Sequence, residues 1–320
     1  MNIAILADKQ TAVSEAPKLV TAFEKGEHQA EILRVDQPLM AALQAKRPDI
    51  CCIAAGTQGC AGMLQEMLEF MQIPFLGSGS QACRLSADEQ LSMFSLRRYA
   101  EASEEESTLE SLVSFSVSSE FLSVNKEALI EVCEERIPGG CPFEVLQSSE
   151  GGMAGIACKT AETCEANKAN KVDEENGFCK VANREEFEAA LEAYAQTGCV
   201  VRQWVEGVRL SVSVLGTGWD AHVLPLIDTK TMAPVKLDSL SGDEQVAHAI
   251  RSEIERCAFE ICLALGMRDF ALVNLIWDGA QVRLSGIEAV PSMKETSSFA
   301  AACKAAGLSV GGVLNHLVSL

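Results

Sequence analysis

GMRDFALVNLIWDGAQVRLSGIEAVPSM, residues 266–293, is the stretch of sequence that decides the fold. Two β-type runs, 271–277 and 281–287, flank the dipeptide Asp278-Gly279. Asp-Gly between apolar runs is one of the strongest short-range signals for a β-hairpin. The stretch therefore predicts two antiparallel strands joined by a tight turn.

The predicted hairpin has three positions that are suited to metal ligands. Side chains two residues apart in a strand point to the same face, so neighbouring strands can converge on one ion. The positions that meet this requirement are Asn274, Gly286 and Glu288. Asn274 offers an amide and Glu288 a carboxylate, whereas Gly286 has no side chain.

Strands and helices alternate over the first hundred residues. Helices are predicted at 14–25, 39–45, 63–71 and 87–101, and strands at 2–6, 31–35, 49–55 and within 72–79. A Gly-rich turn, 56–62, precedes the third helix, and Gly77-Ser78-Gly79 forms a tight turn after the last strand. Such alternation predicts an open parallel sheet with helices on both faces.

Two α+β lobes follow this domain. The acidic run 104–106 marks a joint, and the polar stretch 158–176 is an excursion from the second lobe. For that lobe we predict helices at 125–135 and 184–195, strands at 113–117, 142–146, 178–181 and 199–204, and a loop at 147–155. For the third we predict strands at 210–215 and 221–227, the hairpin, and helices at 243–265, 299–306 and 310–317. The predicted domains are 1–96, 97–200 and 201–320, in an α/β fold.

Composition excludes several classes of partner. The chain has 320 residues and a formal net charge of −19, which disfavours nucleic acid and anionic membranes. The N-terminal run MNIAILADKQ predicts a strand, and no stretch has the length of a membrane span. The 13 cysteines, an odd number without a secretion signal, are expected to be reduced thiols of a cytoplasmic protein.

Four segments carry a resemblance to a known family. LQEMLEFMQIPFLGS at 64–78 resembles the helix and Gly-Ile/Leu-Pro-Tyr-Thr-Gly-Ser stretch that ends the first domain of D-alanine–D-alanine ligases. Residues 177–204 resemble the helix and hinge strand of the ATP-grasp module. Residues 265–277 resemble the Leu-Gly-x-x-Gly-x-x-Arg-x-Asp strand, and 291–307 the Pro-Gly-Met-Thr segment. The resemblance covers nearly the whole chain in the right order.

The resemblance implies a specific chemistry. Such ligases bind ATP and Mg²⁺ between the second and third domains and phosphorylate the carboxylate of one D-alanine. The amine of a second D-alanine then attacks the acyl phosphate, which gives a peptidoglycan precursor. The chemistry needs cations for phosphates, carboxylates for magnesium and an arginine for the oxyanion. The resemblance also implies a homodimer formed through the N-terminal domain.

This chain departs from the family at almost every position of that chemistry. The two phosphate-binding lysines correspond to Glu89 and Leu146, and the oxyanion arginine to Leu272. The turn at 56–62 lacks the family's histidine and acids. The remaining positions in the resemblance are Ser14 for the amine-anchoring glutamate, Ser297 for a substrate serine, Arg202 and Arg209 for the adenine and ribose glutamates, Val205 in the hinge, Glu150, Gly151 and Gly152 in the phosphate loop, and Asn274, Gly286 and Glu288 for magnesium.

Several of these residues have two interpretations. Arg202 and Arg209 either bind an anionic ligand or form salt bridges. Glu288 is either a residual metal ligand or an ion-paired or surface carboxylate. Ser297 or Ser298 either contacts substrate or caps a helix.

Lysines and cysteines leave further alternatives. Lys236 is either a catalytic loop lysine or a surface residue, and we expect Lys294 to be solvated. Three cysteines could supply thiolates to a metal, but their spacing fits no zinc pattern; they are Cys158, Cys164 and Cys179.

The free energies of the lost contacts favour the loss of nucleotide binding. A charge-assisted hydrogen bond contributes ~1.5–3 kcal/mol, so losing four or five removes roughly 6–12 kcal/mol. Micromolar affinity is only about 8 kcal/mol in total. We therefore expect a ligase-like pseudoenzyme that binds a small molecule or regulates a partner, as a homodimer or with an active ligase. The alternatives are an active ATP- and Mg²⁺-dependent ligase with a rebuilt site, and a structural subunit with a closed cleft.

Overall fold

The computed structural model describes residues 1–54, 62–103, 110–112, 114–137, 142–149, 153–154, 172–173, 178–196 and 198–320. Its described strands form three sheets, one parallel and two almost entirely antiparallel. The mixed α/β class predicted from the sequence is confirmed.

The first sheet has the strand order β2-β1-β3-β4, and every pairing in it is parallel. Its elements in chain order are β1 (Asn2–Ala7), α1 (Thr11–Ser14), α2 (Ala16–Lys25), β2 (Gln29–Arg34), α3 (Leu39–Lys46), β3 (Ile50–Ile53), α4 (Met63–Phe70) and β4 (Phe75–Leu76). Apolar side chains on both faces of these strands enter two separate cores. The predicted parallel sheet with helices on both faces is therefore confirmed.

Two predicted helices are each divided into two. The helix predicted at 14–25 begins as α1, which is separated from α2 by Glu15, and Pro17 lies in the first turn of α2. The helix predicted at 87–101 is α6 (Glu89–Ser103), and α5 (Ser80–Ala87) precedes it. Asp88 between them has extended backbone angles and accepts a hydrogen bond from the Leu91 amide. Asp88 therefore caps α6, whereas Glu15 makes no capping hydrogen bond and the local signal for the beginning of α2 is Pro17.

The second sheet has the order β6-β11-β7-β10-β9, with β8 paired to β7. Its elements are β6 (Ser114–Val117) after the short β5 (Glu110–Ser111), then α7 (Ser119–Arg136), β7 (Phe143–Ser149), β8 (Met153–Ala154), β9 (Val172–Asp173), β10 (Phe178–Val181), α8 (Arg184–Ala193) and β11 (Cys199–Gln203). Phe143 and Phe187 pack edge to face in its core, with ring centroids 4.9 Å apart.

The second sheet and its first helix are longer than the sequence predicts. Strand β7 continues into the predicted loop 147–155 and pairs with β8, which makes part of that loop a hairpin. Helix α7 begins six positions before the predicted 125, and Asn125 has non-helical angles inside it. Apart from β9, the predicted excursion 158–176 lies outside the described residues, as does the acidic run 104–106.

The third sheet has the order β15-β14-β12-β16-β17-β5, with β13 paired to β12. Its remaining elements are β12 (Val208–Leu215), β13 (His222–Val223), β14 (Ile227–Asp228), β15 (Ala233–Pro234), α9 (Glu244–Leu265), β16 (Phe270–Trp277) and β17 (Val282–Glu288). The predicted hairpin is confirmed as β16 and β17, with a register shift between Asn274 and Leu275. The strand predicted at 221–227 is divided into β13 and β14 around Pro225, which has no amide hydrogen for a ladder.

The last two helices return to the first sheet. They are α10 (Ser298–Ala305) and α11 (Val310–Val318), and their Phe299 and Leu314 share a core with Ile3 and Phe23. The segment between β17 and α10 contacts Glu15 between α1 and α2, so residues near both ends of the chain meet there. No helix among the described residues is long and apolar enough to cross a membrane.

Candidate functional site

A buried ion pair occupies the hinge between the second and third sheets. Glu144 on β7 and Arg202 on β11 are partners in register, and they are 0% and 2% exposed. Arg202 donates from Nε to Glu144 Oε2 at 2.8 Å and from Nη1 to the Ser285 carbonyl on β17 at 2.5 Å. The Arg202 guanidinium therefore joins the two sheets.

Arg209 completes this cluster from β12. Its Nη1 lies 3.3 Å from Glu144 Oε1, and its guanidinium carbon lies 4.8 Å from the ring centroid of Trp204. Arg202 and Arg209 thus share one carboxylate. Of the two interpretations of these arginines, the ion-pair interpretation matches the structure.

Trp204 contacts a second set of charged residues at the hinge. Lys180 Nζ lies 4.1 Å from the ring centroid, within the range of a cation–π contact. Glu206 accepts hydrogen bonds from Lys180 Nζ and Trp204 Nε1, both at 2.7 Å. The Lys180 hydrogen bond, followed by that of Trp204, lowers the pKa of Glu206. Val205 is half-buried between these two residues.

The three metal positions of the resemblance do converge on one face of the hairpin. Asn274 and Gly286 are partners in register across β16 and β17. Asn274 Nδ2 donates to Glu288 Oε1 at 3.1 Å, and Asn274 Oδ1 accepts from Ser211 Oγ at 2.6 Å. Burial raises the pKa of Glu288 to about 7, although the Asn274 hydrogen bond opposes this rise.

These residues do not fit a magnesium ion. Mg²⁺ prefers carboxylates together with substrate phosphates. Here the amide oxygen of Asn274 is already engaged by Ser211, Gly286 has no side chain, and Glu288 is a carboxyl group that titrates near neutrality. Within the described parts of the chain, no group of three or more His, Cys, Asp or Glu could hold a metal ion.

Three positions correspond to catalytic or substrate-contacting residues in the resemblance, and each has a defined place in the structure. Leu272 is buried on β16 opposite Ser213 and Glu288. Ser297 is the N-cap of α10 and accepts a hydrogen bond from the Ala300 amide at 3.1 Å. Ser14 is exposed and donates to the Gln10 carbonyl of its own helical turn at 3.0 Å.

Sequence reasoning missed Glu15, the neighbour of Ser14. Glu15 is 6% exposed and faces the segment between β17 and α10. Ser292 Oγ donates to its Oε1 at 3.1 Å, and the Met293 amide donates to its Oε2 at 3.2 Å. Lys294 Nζ lies 3.4 Å from Oε1, so the partly exposed Lys294 is solvated on one side and pairs with Glu15 on the other. The signal for Glu15 was available, because it is the acid adjacent to the expected position.

The turn at Gly77-Ser78 is fixed to the start of the hairpin. The Gly77 amide donates to Asp269 Oδ2 at 2.7 Å, and Arg268 Nε donates to the Gly77 carbonyl at 2.8 Å. Ser78 is 1% exposed, and its Oγ accepts from the Arg268 amide at 3.2 Å. The predicted tight turn thus joins the first and third sheets.

Other predicted positions lie elsewhere. Lys236 is exposed before the short helix Leu237–Ser239. Glu89 lies in α6, Leu146 in β7 and Cys179 in β10. The positions outside the described residues are 56–61, Glu150, Gly151, Gly152, Cys158 and Cys164.

Comparison with protein families and curated proteins gives one consistent result. The family model for the C-terminus of D-Ala D-Ala ligase matches residues 174–319. A D-alanine–D-alanine ligase of Desulforudis audaxviator is 24% identical, and the match covers 98% of this chain and 94% of that protein. The corresponding ligase of Carboxydothermus hydrogenoformans is also 24% identical, with the same two coverages of 98% and 94%.

Solved structures agree on the fold. The D-alanine–D-alanine ligase of Bacillus anthracis complexed with ATP superimposes with a TM-score of 0.69 at 16% identity, covering 100% of this chain and 96% of that one. The VanG D-Ala:D-Ser ligase of Enterococcus faecalis gives a TM-score of 0.68 at 15% identity, covering 100% and 98%. The chain is thus similar in sequence to D-alanine–D-alanine ligases over nearly its whole length, its residues 174–319 match the model of their C-terminus, and it shares their fold.

Proposed function

We propose that this chain is a ligase-like protein that binds a small molecule or regulates a partner without ordinary Mg-ATP-dependent ligation. The observation that carries the proposal is the buried cluster of Glu144, Arg202 and Arg209. In the family resemblance, glutamates at the positions of Arg202 and Arg209 receive the adenine amino group and the ribose. Here both positions hold cations that are already paired.

The cluster opposes nucleotide binding in two ways. An arginine has donors and no acceptor, so Arg202 cannot accept a hydrogen bond from the adenine amino group. Moving Arg202 aside would leave Glu144 as a buried carboxylate without its closest cation, and breaking a buried pair costs about 3–5 kcal/mol. That penalty is a large part of the roughly 8 kcal/mol that micromolar binding provides.

The metal positions support the same proposal. A nucleoside triphosphate binds such a site together with Mg²⁺. The three metal positions offer at most one carboxylate; they are Asn274, Gly286 and Glu288. Leu272 brings no charge to an oxyanion. We therefore assign no reaction step to ATP or magnesium in this chain.

An active ATP-dependent D-alanine–D-alanine ligase with a rebuilt site is the second candidate. Its support is that curated relatives of matching length are named D-alanine–D-alanine ligases. In that case ATP and Mg²⁺ would be cofactors, and the product would be a peptidoglycan precursor.

ADP release in the presence of D-alanine, ATP and Mg²⁺ separates the two candidates. The Desulforudis audaxviator ligase serves as the positive control, and the Asn274→Ala variant shows whether any signal comes from the hairpin. We expect no release above background from this chain. Release that depends on D-alanine and is lost in Asn274→Ala would establish the second candidate.

Assembly and location form part of the proposal. The negative charge of −19 disfavours nucleic acid and anionic membranes. We propose a cytoplasmic protein that forms a homodimer or pairs with an active ligase of the same cell. Light scattering of the purified chain, alone and mixed with that ligase, tests this: a monomer in both samples would contradict it. A structural subunit with a closed cleft would form the assembly but bind no small molecule.

A further inference from the structure

The chain passes between the second and third sheets at two places, and both lie beside Arg202. Strand β5 lies on the third sheet next to β17, with Ser111 opposite Leu284, and β6 follows it in the second sheet. Ser114 on β6 is then opposite Arg202 on β11. The other connection runs from β11 to β12 through residues 204–207. The two sheets therefore meet along a seam that both connections border.

Two charged side chains cross this seam in opposite directions. Arg202 on the second sheet donates from Nη1 to the Ser285 carbonyl on the third sheet at 2.5 Å. Arg209 on the third sheet places its Nη1 3.3 Å from Glu144 Oε1 on the second sheet. Arg202 and Glu144 are buried, and the Arg209 side chain is only 18% exposed. Because little water reaches these groups, moving the sheets apart would cost the contacts before water replaces them.

The connection between β11 and β12 is also held on both sides. The Trp204 ring is contacted by Lys180 of the second sheet at 4.1 Å and by Arg209 of the third sheet at 4.8 Å, both measured to the ring centroid. A Cβ at Gly207 would clash with the Trp277 carbonyl oxygen at the end of β16, so this backbone packs closely against the third sheet. A hinge works through residues that change their backbone angles, and this connection is fixed by contacts with both sheets.

We propose that Glu144, Arg202 and Arg209, together with the Ser285 carbonyl, form a latch that holds the second and third sheets in one fixed arrangement without any ligand. Entry of a ligand between two such layers commonly requires a hinge motion that separates them. Here that motion would take Arg209 from its carboxylate and Arg202 from its carbonyl at the same time. The inference concerns the movement of the sheets, so it stands or falls separately from the absence of Mg-ATP-dependent ligation.

Hydrogen–deuterium exchange of the full-length chain tests the latch. Arg209→Met removes the guanidinium that crosses from the third sheet and leaves the pair of Glu144 and Arg202 in place. Peptides spanning 199–210 and 282–288 are expected to exchange roughly tenfold faster, which corresponds to the loss of one charge-assisted hydrogen bond. Exchange in the first sheet is expected to be unchanged. Small-angle X-ray scattering is expected to give a larger radius of gyration than for the wild type.

A second variant and a control make the test specific. Arg202→Lys keeps a cation for Glu144, but a single ammonium cannot reproduce the planar fork that also reaches the Ser285 carbonyl, so we expect faster exchange at the seam here too. The control is Lys126→Met, which removes an ion pair with Glu192 between two helices packed on the second sheet. It is expected to leave both the seam exchange and the radius of gyration at their wild-type values.

The wild type supplies a test that does not depend on any variant. Buried contacts are screened little by salt, so its radius of gyration is expected to be the same at low and high ionic strength. A radius that grows with ionic strength would overturn the proposal.

Three results from the variants would also overturn it. The first is wild-type exchange at the seam and a wild-type radius of gyration in folded Arg209→Met and Arg202→Lys. The second is an equal acceleration of exchange in all three sheets, because the arginines would then stabilise the whole chain without holding the seam. The third is an effect of Lys126→Met as large as that of the arginine variants.

Discussion

Glu144 and Arg202 form a buried ion pair at the hinge. Arg202 and Glu144 are 58 positions apart, yet they are opposite each other on adjacent buried strands. The sequence contains a signal for this contact, because FEVL at 143–146 and CVVR at 199–202 each place one charged residue beside apolar ones. A buried charge requires a partner of opposite charge. The carboxylate on β7 and the guanidinium on β11 meet this requirement for each other.

Removal of Arg202 tests the energetic importance of the pair. Arg202→Met leaves Glu144 buried with only the more distant Arg209, and we expect a loss of about 3–5 kcal/mol in the free energy of unfolding. Urea denaturation measures it. The matched control is Arg184→Met, which removes exposed ion pairs with Glu188 and Glu134 and is expected to cause little change. Equal effects of the two substitutions would contradict the account.

Glu288 gives the protein a pH-dependent stability. Its folded pKa of about 7 lies above the ordinary value of 4.5, so the folded state binds the proton more tightly than the unfolded state does. The stability that Glu288 contributes is therefore fully present below pH 4.5, falls as the pH rises towards about 7, and is lost above that.

Glu288→Gln is expected to remove this dependence. Gln keeps an acceptor for Asn274 Nδ2 and carries no charge, so the variant gains about 3 kcal/mol over the wild type above pH 7 and little below pH 4.5. Urea unfolding of both proteins across this pH range measures the difference. A constant difference at every pH would show that Glu288 does not titrate in this window.

The identity of individual site residues was the part of the site that could not be predicted from the sequence. Ser14 was the expected position of an acid, and the buried acid is the adjacent Glu15. The break between α1 and α2 turns Glu15 inward and leaves Ser14 exposed. Helical periodicity does not indicate where a helix is interrupted. The local sequence signal for this interruption is Pro17.

At the scale of elements, the hairpin and the parallel sheet follow from local rules. Asp278-Gly279 and its flanking apolar runs predicted all four boundaries of β16 and β17 to within one residue. The short strands were harder, since β8, β13 and β14 have two residues each and depend on pairing with β7 or β12. Tertiary pairing, not local propensity, determines strands of that length.

The N-cap of α9 is expected to stabilise this helix, which is the longest among the described residues. Asp243 accepts hydrogen bonds from the amides of Gln245 and Val246 at 2.9 and 3.1 Å. Asp243→Ala removes that acceptor and is expected to cost about 1 kcal/mol, whereas Asp243→Asn keeps it and costs only a few tenths. Thermal and urea unfolding compare the variants. A loss as large for Asn as for Ala would show that the charge matters more than the cap.

At the scale of the molecule, the cysteines are expected to be largely unreactive. The chain has 13 cysteines, and eight of the described ones are free and buried. Burial raises the pKa of several of these thiols to about 12, including Cys52, Cys83 and Cys262. The thiolate is the reactive form.

Titration with a thiol reagent at neutral pH checks this expectation. We expect at most the other five thiols to react quickly in the native protein, and all 13 to react in denaturant. Rapid reaction of more than five native thiols would contradict the burial of the cores.

Calorimetric titration of the full-length chain with Mg-ATP is the most direct test of the central claim that paired arginines have replaced the nucleotide site. The Desulforudis audaxviator ligase, titrated under the same conditions, provides the reference. We predict no saturable heat for this chain at nucleotide concentrations that saturate the reference enzyme. Saturable binding in the micromolar range, weakened by Asn274→Ala, would contradict the account.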